Sequence, residues 1–319
     1  MMGAFPAELR GAALNDGTIA VKILREMIFY KSTFTVEEHD TLIEIYRSHC
    51  PTDRNRLFRI PELTQWSSVS TPHLTMSARQ VRGRPLAEFE AVRRRIAEGR
   101  WFFSRLWDGI KIDQPNGSWS LDIHHRRSAD EGGLGYARFL MPIDVPDKTH
   151  LALAQEVLAA MPVISGHGGL CFTYLPDRKP PAFNLIYAWS RRMKGIDIED
   201  LAVTLPHMTT QLKPPCWLNV IGRDPIWDTA LWRKICALPE TSNARVHHAR
   251  FGILVQISPT LEPFDGNRHE QPPAAYRQYD SAIAKVRLAD IGTFSGARFG
   301  NDPTATTAWL SRFSAKDDG

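Results

Sequence analysis

The chain has 319 residues, 43% hydrophobic and 23% charged, with a formal net charge of +4. This is the profile of a soluble globular protein with chain enough for a sizeable core, in one large domain or two small ones. It excludes a low-complexity chain, and no run of about 18 apolar residues marks a membrane span.

Residues 1–17 read as an N-terminal segment without the long apolar stretch of a signal peptide. Thr18–Tyr30 alternates Ile19, Val21 and Ile23 and predicts a strand. Thr35-Val-Glu-Glu38 is a capping box that opens a helix over Leu42, Ile43 and Tyr46, with Pro51 as its stop. A second helix is expected from Pro85 to a terminating Gly99. Ser118–Arg126 alternates cleanly and, through the turn Asp130–Gly135, predicts an antiparallel hairpin with Tyr136–Ile143. A helix over Asp147–Met161 comes next, then Gly-His-Gly-Gly-Leu (166–170), read as a glycine turn with positive φ entering a short buried strand.

In the second half, Pro180-Pro181 precedes a helix ended by Gly195, and Cys216–Gly222 is a short strand. A helix over Asp228–Ala237 leads to Ala244–His248 and Phe251–Ile257, a second hairpin. Helices over Ala274–Arg287 and Thr304–Phe313 follow, then a flexible tail, 314–319. Strands and helices mix without regular alternation, so the expected class is α+β with mixed or antiparallel sheets and packed helices. Residues 18–313 are taken as one domain, and a division into tightly packed halves, 18–178 and 179–313, stays open.

The search for chemistry yields little. The four cysteines, Cys50, Cys171, Cys216 and Cys236, form no C-x-x-C pair, and their apolar neighbours suit buried free thiols in a reducing cytoplasm. The glycines beside His167 have the look of an anion nest, but no G-x-S-x-G or P-loop lysine accompanies them. His124-His125 and His247-His248 each point to opposite sides of a strand. A metal site from one ring of each pair plus Asp122 requires the two hairpins to meet. Asp265-Gly-Asn-Arg-His269 lacks the oxygen ladder of a calcium loop and reads as an Asx-turn. Eight arginines between Arg79 and Arg105 are either the solvated face of a helix or a nucleic-acid patch. No nucleophile has a base motif beside it, so an enzyme reading would require a site assembled only in the fold. No metal or cofactor is expected.

One resemblance organises these pieces. GHGGLCFTY (166–174) is followed by Tyr187-Ala-Trp189 and Gly195-Ile-Asp-Ile-Glu-Asp200, then WLNVIG (217–222) and GILVQ (252–256). Pro263-Phe-Asp-Gly-Asn267 and Tyr276 leading to Val286-Arg287 complete the series. In this order the pieces resemble the TsiV family of type VI secretion immunity proteins, from Val21 to Arg298. The chain departs from the family at Ile257-Ser258, where a glycine is frequent, and at Lys285-Val-Arg287, where Pro-Leu-Arg is common.

The resemblance implies a non-enzymatic, cytoplasmic immunity protein. Its partner would be a toxic VRR-Nuc-type nuclease effector, whose substrate-binding site it occludes, with no direct nucleic-acid contact and self-association left open. Carboxylates standing in for phosphates would then lie on a local acidic surface, for which Asp197, Glu199, Asp200, Glu262 and Asp265, with Asn267, are the candidates.

Overall fold

The computed structural model describes residues 12–13, 19–50, 56–59, 85–100, 102–107, 119–125, 133–174, 179–241, 243–267 and 271–314. The first elements are β1 (Ala12–Ala13), β2 (Ile19–Lys31), α1 (Val36–His49), β3 (Arg56–Arg59), α2 (Pro85–Ala97) and β4 (Phe102–Trp107). There follow β5 (Ser120–His125), β6 (Gly135–Met141), α3 (Asp147–Ala160), β7 (Ser165–Tyr174), α4 (Lys179–Ser190) and β8 (Ile196–Ile198). A short α5 (Leu201–Thr204) precedes β9 (Leu218–Gly222), α6 (Thr229–Cys236), α7 (Leu238–Thr241), β10 (Arg245–Ala249) and β11 (Gly252–Gln256). The chain finishes with α8 (Ala274–Ile283), α9 (Ala297–Asn301) and α10 (Pro303–Leu310). None of the described helices is long and apolar enough to cross a membrane.

Among the described residues eleven strands form a single sheet, nine of them in the order β10-β11-β9-β7-β2-β6-β5-β4-β3, with β1 added to β2 and β8 to β7. The β7–β8 pair is parallel and the other pairings are antiparallel. The fold is therefore α+β, as the mixed pattern of elements predicts. The sheet runs through the boundary between residues 178 and 179, because β7 pairs with both β8 and β9.

The 13-residue β2 is the spine, paired to β6 on one side and β7 on the other. Its odd-numbered residues Met27 and Phe29 face α1 and α3, together with Phe139 of β6 and Phe172 of β7, in one apolar cluster. A second cluster buries Ile221, Ile253 and Val255 under α6, α8 and Phe313. Local signals place the helices. Thr35 and Glu38 close the capping box of α1 in both directions, and the Asp228 carboxylate accepts the Leu231 amide at 2.6 Å to start α6. Gly99, at φ +62°, ends α2 as expected.

Several expectations are corrected. Gly166, Gly168 and Gly169 lie inside β7, and none has positive φ. Gly166 and Gly168 are glycines for want of room: a Cβ on Gly168 would stand 2.5 Å from Met27 Sδ and 2.8 Å from the Glu26 carbonyl oxygen, whereas one on Gly169 would meet nothing nearer than 3.5 Å. The helix from Ala274 stops at Ile283, because the chain turns to bridge Arg287 to Leu212. Four short strands, β1, β3, β4 and β8, were not anticipated. The turn expected at 130–135 lies outside the described residues as far as residue 132.

Candidate functional site

The face of β2 opposite Met27 carries Glu26 and Tyr30, and strand register extends this polar face across the sheet. Arg105 stands opposite Asp122, and Asp122 opposite Arg138. Ile28 separates Arg138 from His167, and His167 stands opposite Asn219. The result is a polar ladder in which Arg105, Asp122 and Arg138 alternate in sign before Ile28 interrupts them.

Arg105 grips Asp122 with two hydrogen bonds, of 2.5 and 2.6 Å. Arg138 donates to Glu26. The Nε2 of His167 lies 3.2 Å from Glu199 Oε2 and 3.3 Å from Asp197 Oδ2. Lys213 Nζ lies 3.1 Å from Asp197 and 3.3 Å from Glu199, and donates to the Ile198 carbonyl oxygen at 3.1 Å. Arg312 ends the series, 3.9 Å from Asp197 Oδ1. Glu26, Asp122, His167, Asp197, Glu199 and Lys213 are all buried.

Burial by itself would push the Asp197 and Glu199 carboxyls up. The attraction of Lys213 and the contacts with His167 outweigh it and hold both below the usual carboxylate range. Burial would likewise lower His167 and Lys213, but the two carboxylates raise both. The charges of Glu26, Asp122, Asp197 and Glu199 are matched by those of Arg105, Arg138, Lys213 and Arg312 when His167 is neutral. Glu26, His167, Asp197 and Glu199 also bring donor atoms within 4.8 Å of one another, as a metal site would. These donors do not fit a metal ion, because Lys213 and Arg138 already serve them as cations and a divalent ion would leave uncompensated positive charge. The ladder is a self-neutralised structural network.

Beyond Arg312 the network meets the surface. The connection from α4 to β8 is pinned to the loop after β11: Lys194 N donates to Phe264 O at 2.9 Å and Gly266 N to Arg192 O at 2.8 Å. Asp265 takes both arms of Arg192, at 2.8 to 3.1 Å, and accepts Asn267 N at 3.0 Å in an Asx-turn. Beside this double loop lies a cleft of about 380 Å³, lined by residues of α4 and α10 with Arg191 and Lys194.

The six sequence-predicted contact residues fall into two groups. Asp197, Glu199 and Asp200 are 4%, 2% and 0% exposed, so the acidic surface expected of them is absent. Ile196–Ile198 is a buried strand paired to β7 and not a solvated loop. Asp200 is held by Lys179 Nζ at 2.8 Å and by the Ser295 amide at 3.0 Å. Glu262 and Asn267 are exposed, and Asp265, paired with Arg192, shapes the loop between them.

Three of the five described arginines of the run are paired within the chain. Arg93 pairs with Asp40 at 2.8 Å, Arg100 with Glu98 at 3.3 Å and Arg105 with Asp122. Arg79, Arg82 and Arg84 lie outside the described residues. The two histidine pairs do not meet. Five strands separate β5 from β10, roughly 29 Å at the usual spacing. His124 stacks on Tyr136, and His247 lies 3.3 Å from the Gln155 amide nitrogen. Of the cysteines, Cys50, Cys171 and Cys216 are buried, but Cys236 is exposed. Sequence reasoning missed Glu26, Lys213 and Arg312. The charged pair Arg25-Glu26 between the apolar residues Leu24 and Met27 of β2 was the available signal.

The molecule is thus an α+β protein built on one large sheet, with its buried charges committed to each other and a loop-and-cleft surface at one end. The chain belongs to the TsiV family, described as type VI immunity for VRR-NUC, whose model matches residues 65–313. Its fold is similar to that of a solved structure described as the Pseudomonas aeruginosa T6SS protein PA0821, with a TM-score of 0.70 and 18% sequence identity. That likeness covers 97% of this chain and 88% of the other. No curated protein matches the chain.

Proposed function

We propose that the chain is a cytoplasmic immunity protein that binds a cognate VRR-Nuc nuclease effector, covers its substrate-binding site and makes or breaks no bond itself. The family match over residues 65–313 carries this reading. The surface offered for contact is the pinned double loop. Glu262 and Asn267 supply exposed polar groups, and Asp265 holds the loop between them in shape through Arg192. Asp197, Glu199 and Asp200 act from behind, as parts of the scaffold. An interface of this kind buries on the order of 1,200–2,000 Å², with a few anchors carrying most of the affinity.

Co-expression with the effector, scored by host survival and by copurification of a stoichiometric complex, tests the proposal. Protection together with a complex is expected. Unrelieved toxicity in cells that hold folded chain would end it.

A further inference from the structure

The connection after α4 carries Arg191, Arg192 and Lys194 in close succession. Arg192 is neutralised by Asp265. Among the described residues, neither Arg191 nor Lys194 has an ion pair with an acid. The stem of Lys194 runs beside Gly266, which places its half-buried ammonium on the cleft wall. Burial, and then the nearby guanidinium groups of Arg312 and Arg191, push that ammonium below its ordinary value, and no carboxylate offsets them. The acid on the rim, Asp302, accepts from the Tyr187 hydroxyl at 2.8 Å and the Thr304 hydroxyl at 2.7 Å, neutral donors that leave its charge in place, so two cations stand against one carboxylate. The floor is Trp309, over whose ring Arg312 lies at 3.5 Å. The cleft is therefore a concave surface with positive charge left over, at which an anion would relieve repulsion.

We propose that this cleft receives a carboxylate-bearing segment of the protein partner, with Arg191 and Lys194 as its cationic walls. The inference rests on the effector-binding reading and adds the chemistry of one contact to it. A volume of about 380 Å³ with two cations that lack a carboxylate partner among the described residues suits a few side chains of an acidic loop. A nucleic-acid backbone requires a longer stripe of free cations than this cleft offers, and three of the five described arginines of the run, Arg93, Arg100 and Arg105, are paired with Asp40, Glu98 and Asp122. Lys194 links the cleft to the Glu262–Asn267 loop, since it lines the one and its stem lies beside Gly266 of the other.

The test measures binding to the purified effector by biolayer interferometry at low and moderate salt. It uses the full-length chain and three variants: Arg191→Glu, Lys194→Met and the double change. Met keeps the stem against Gly266, and Arg191 is exposed, so the melting temperatures should stay near wild type. The double variant is expected to bind about 30-fold or more weakly, with a flatter salt dependence, as for truncation of a desolvated charge contact. Arg191→Glu provides the answer by itself should the double variant melt early.

Failure of the wild-type chain to bind the effector would end the immunity reading and is distinct from failure of this inference. Wild-type binding that all variants match within about threefold would overturn the carboxylate assignment alone. A short DNA duplex and inorganic phosphate form the remaining arm. Binding of either that is lost in the double variant, with effector affinity intact, would give the cleft to phosphates and overturn the proposal.

Discussion

Changing Lys213 to Met removes one charge from the middle of the ladder while keeping most of the apolar length of the side chain. Lys213 is 4% exposed, and its ammonium lies 3.1 Å from Asp197 and 3.3 Å from Glu199. The variant leaves two buried carboxylates with His167 and a more distant Arg312 as their nearest cationic groups, and the Thr204 hydroxyl still donating to Glu199. Removing one partner from a buried ion pair costs about 3–5 kcal/mol, because the remaining charge stays desolvated. At roughly 2–4 °C per kcal/mol for a chain of this order of size, the melting temperature should fall by about 10 °C at pH 7.

The pH dependence fixes the cause. In the wild type, Asp197 and Glu199 are held below their unfolded values. Their contribution is therefore present above about pH 4 and is lost as pH falls through their folded values. His167 is raised, so its contribution is present below about pH 6.5 and is lost as pH rises through its folded value. Without Lys213 the two carboxyls should move up, and acid should then favour the folded variant. The deficit should shrink between pH 7 and pH 5. Urea unfolding followed by tryptophan fluorescence, with midpoint and slope at both pH values, reads it directly. A deficit below about 1 kcal/mol at pH 7, or one unchanged at pH 5, would refute the buried-pair account.

Other expectations follow from packing. Gly168→Ala should destabilise by about 1–3 kcal/mol, since its Cβ would press on Met27 Sδ and the Glu26 carbonyl, whereas Gly300→Ala in α9 meets nothing within 4 Å and should gain about 0.5–1 kcal/mol. Paired denaturation curves would expose an error in either sign. In the native protein one thiol, that of exposed Cys236, should react quickly with a colorimetric disulfide reagent. Cys50, Cys171 and Cys216 should react only on unfolding, and a second fast thiol would contradict their burial.

Helices with explicit caps were legible in the sequence, because a cap is a local device. Thr35–Glu38 and Asp228 each announced a start within a residue or two of the observed one. Alternating strands such as β2 and β5 were legible for a similar reason: their own period reports which residues share a face. The strands β1, β3, β4 and β8 were not. β8 has three residues and exists because β7 offers it a parallel partner, a fact absent from Gly195–Asp200 itself. The same non-local pairing buried Asp197 and Glu199, so a run of acids that looked like a solvated loop became part of the core. The ladder was invisible because its members come from β2, β4, β5, β6, β7, β8 and two later segments, and only register brings them together. Gly166 and Gly168 misled in the opposite sense. Glycine was taken as a sign of special backbone angles, but here it answers to close approach by neighbours.

A charge ladder is an expensive way to fill a core, since apolar residues of similar volume would often match or exceed its stability. What it adds is a definite register: a slip of one residue would set like charges opposite each other or bury them unpaired. Its last member joins that register to the surface. Arg312 reaches Asp197 at one end, and its Nε donates to the Lys194 carbonyl oxygen at 2.8 Å, so the backbone beneath the cleft is tied to the buried acids. A surface held in shape before contact loses less entropy on binding. Stability and recognition should therefore separate in one variant. Replacing Asp197, Glu199 and Lys213 together by Leu, Leu and Met removes the two unpaired carboxylates that Lys213→Met alone would leave, but parts buried Arg312 from Asp197. Part of the lost stability should return, while Arg312 loses its tie to the acids and effector affinity drops. A triple variant that is both stable and wild-type in affinity would show that the cleft takes its shape without the ladder.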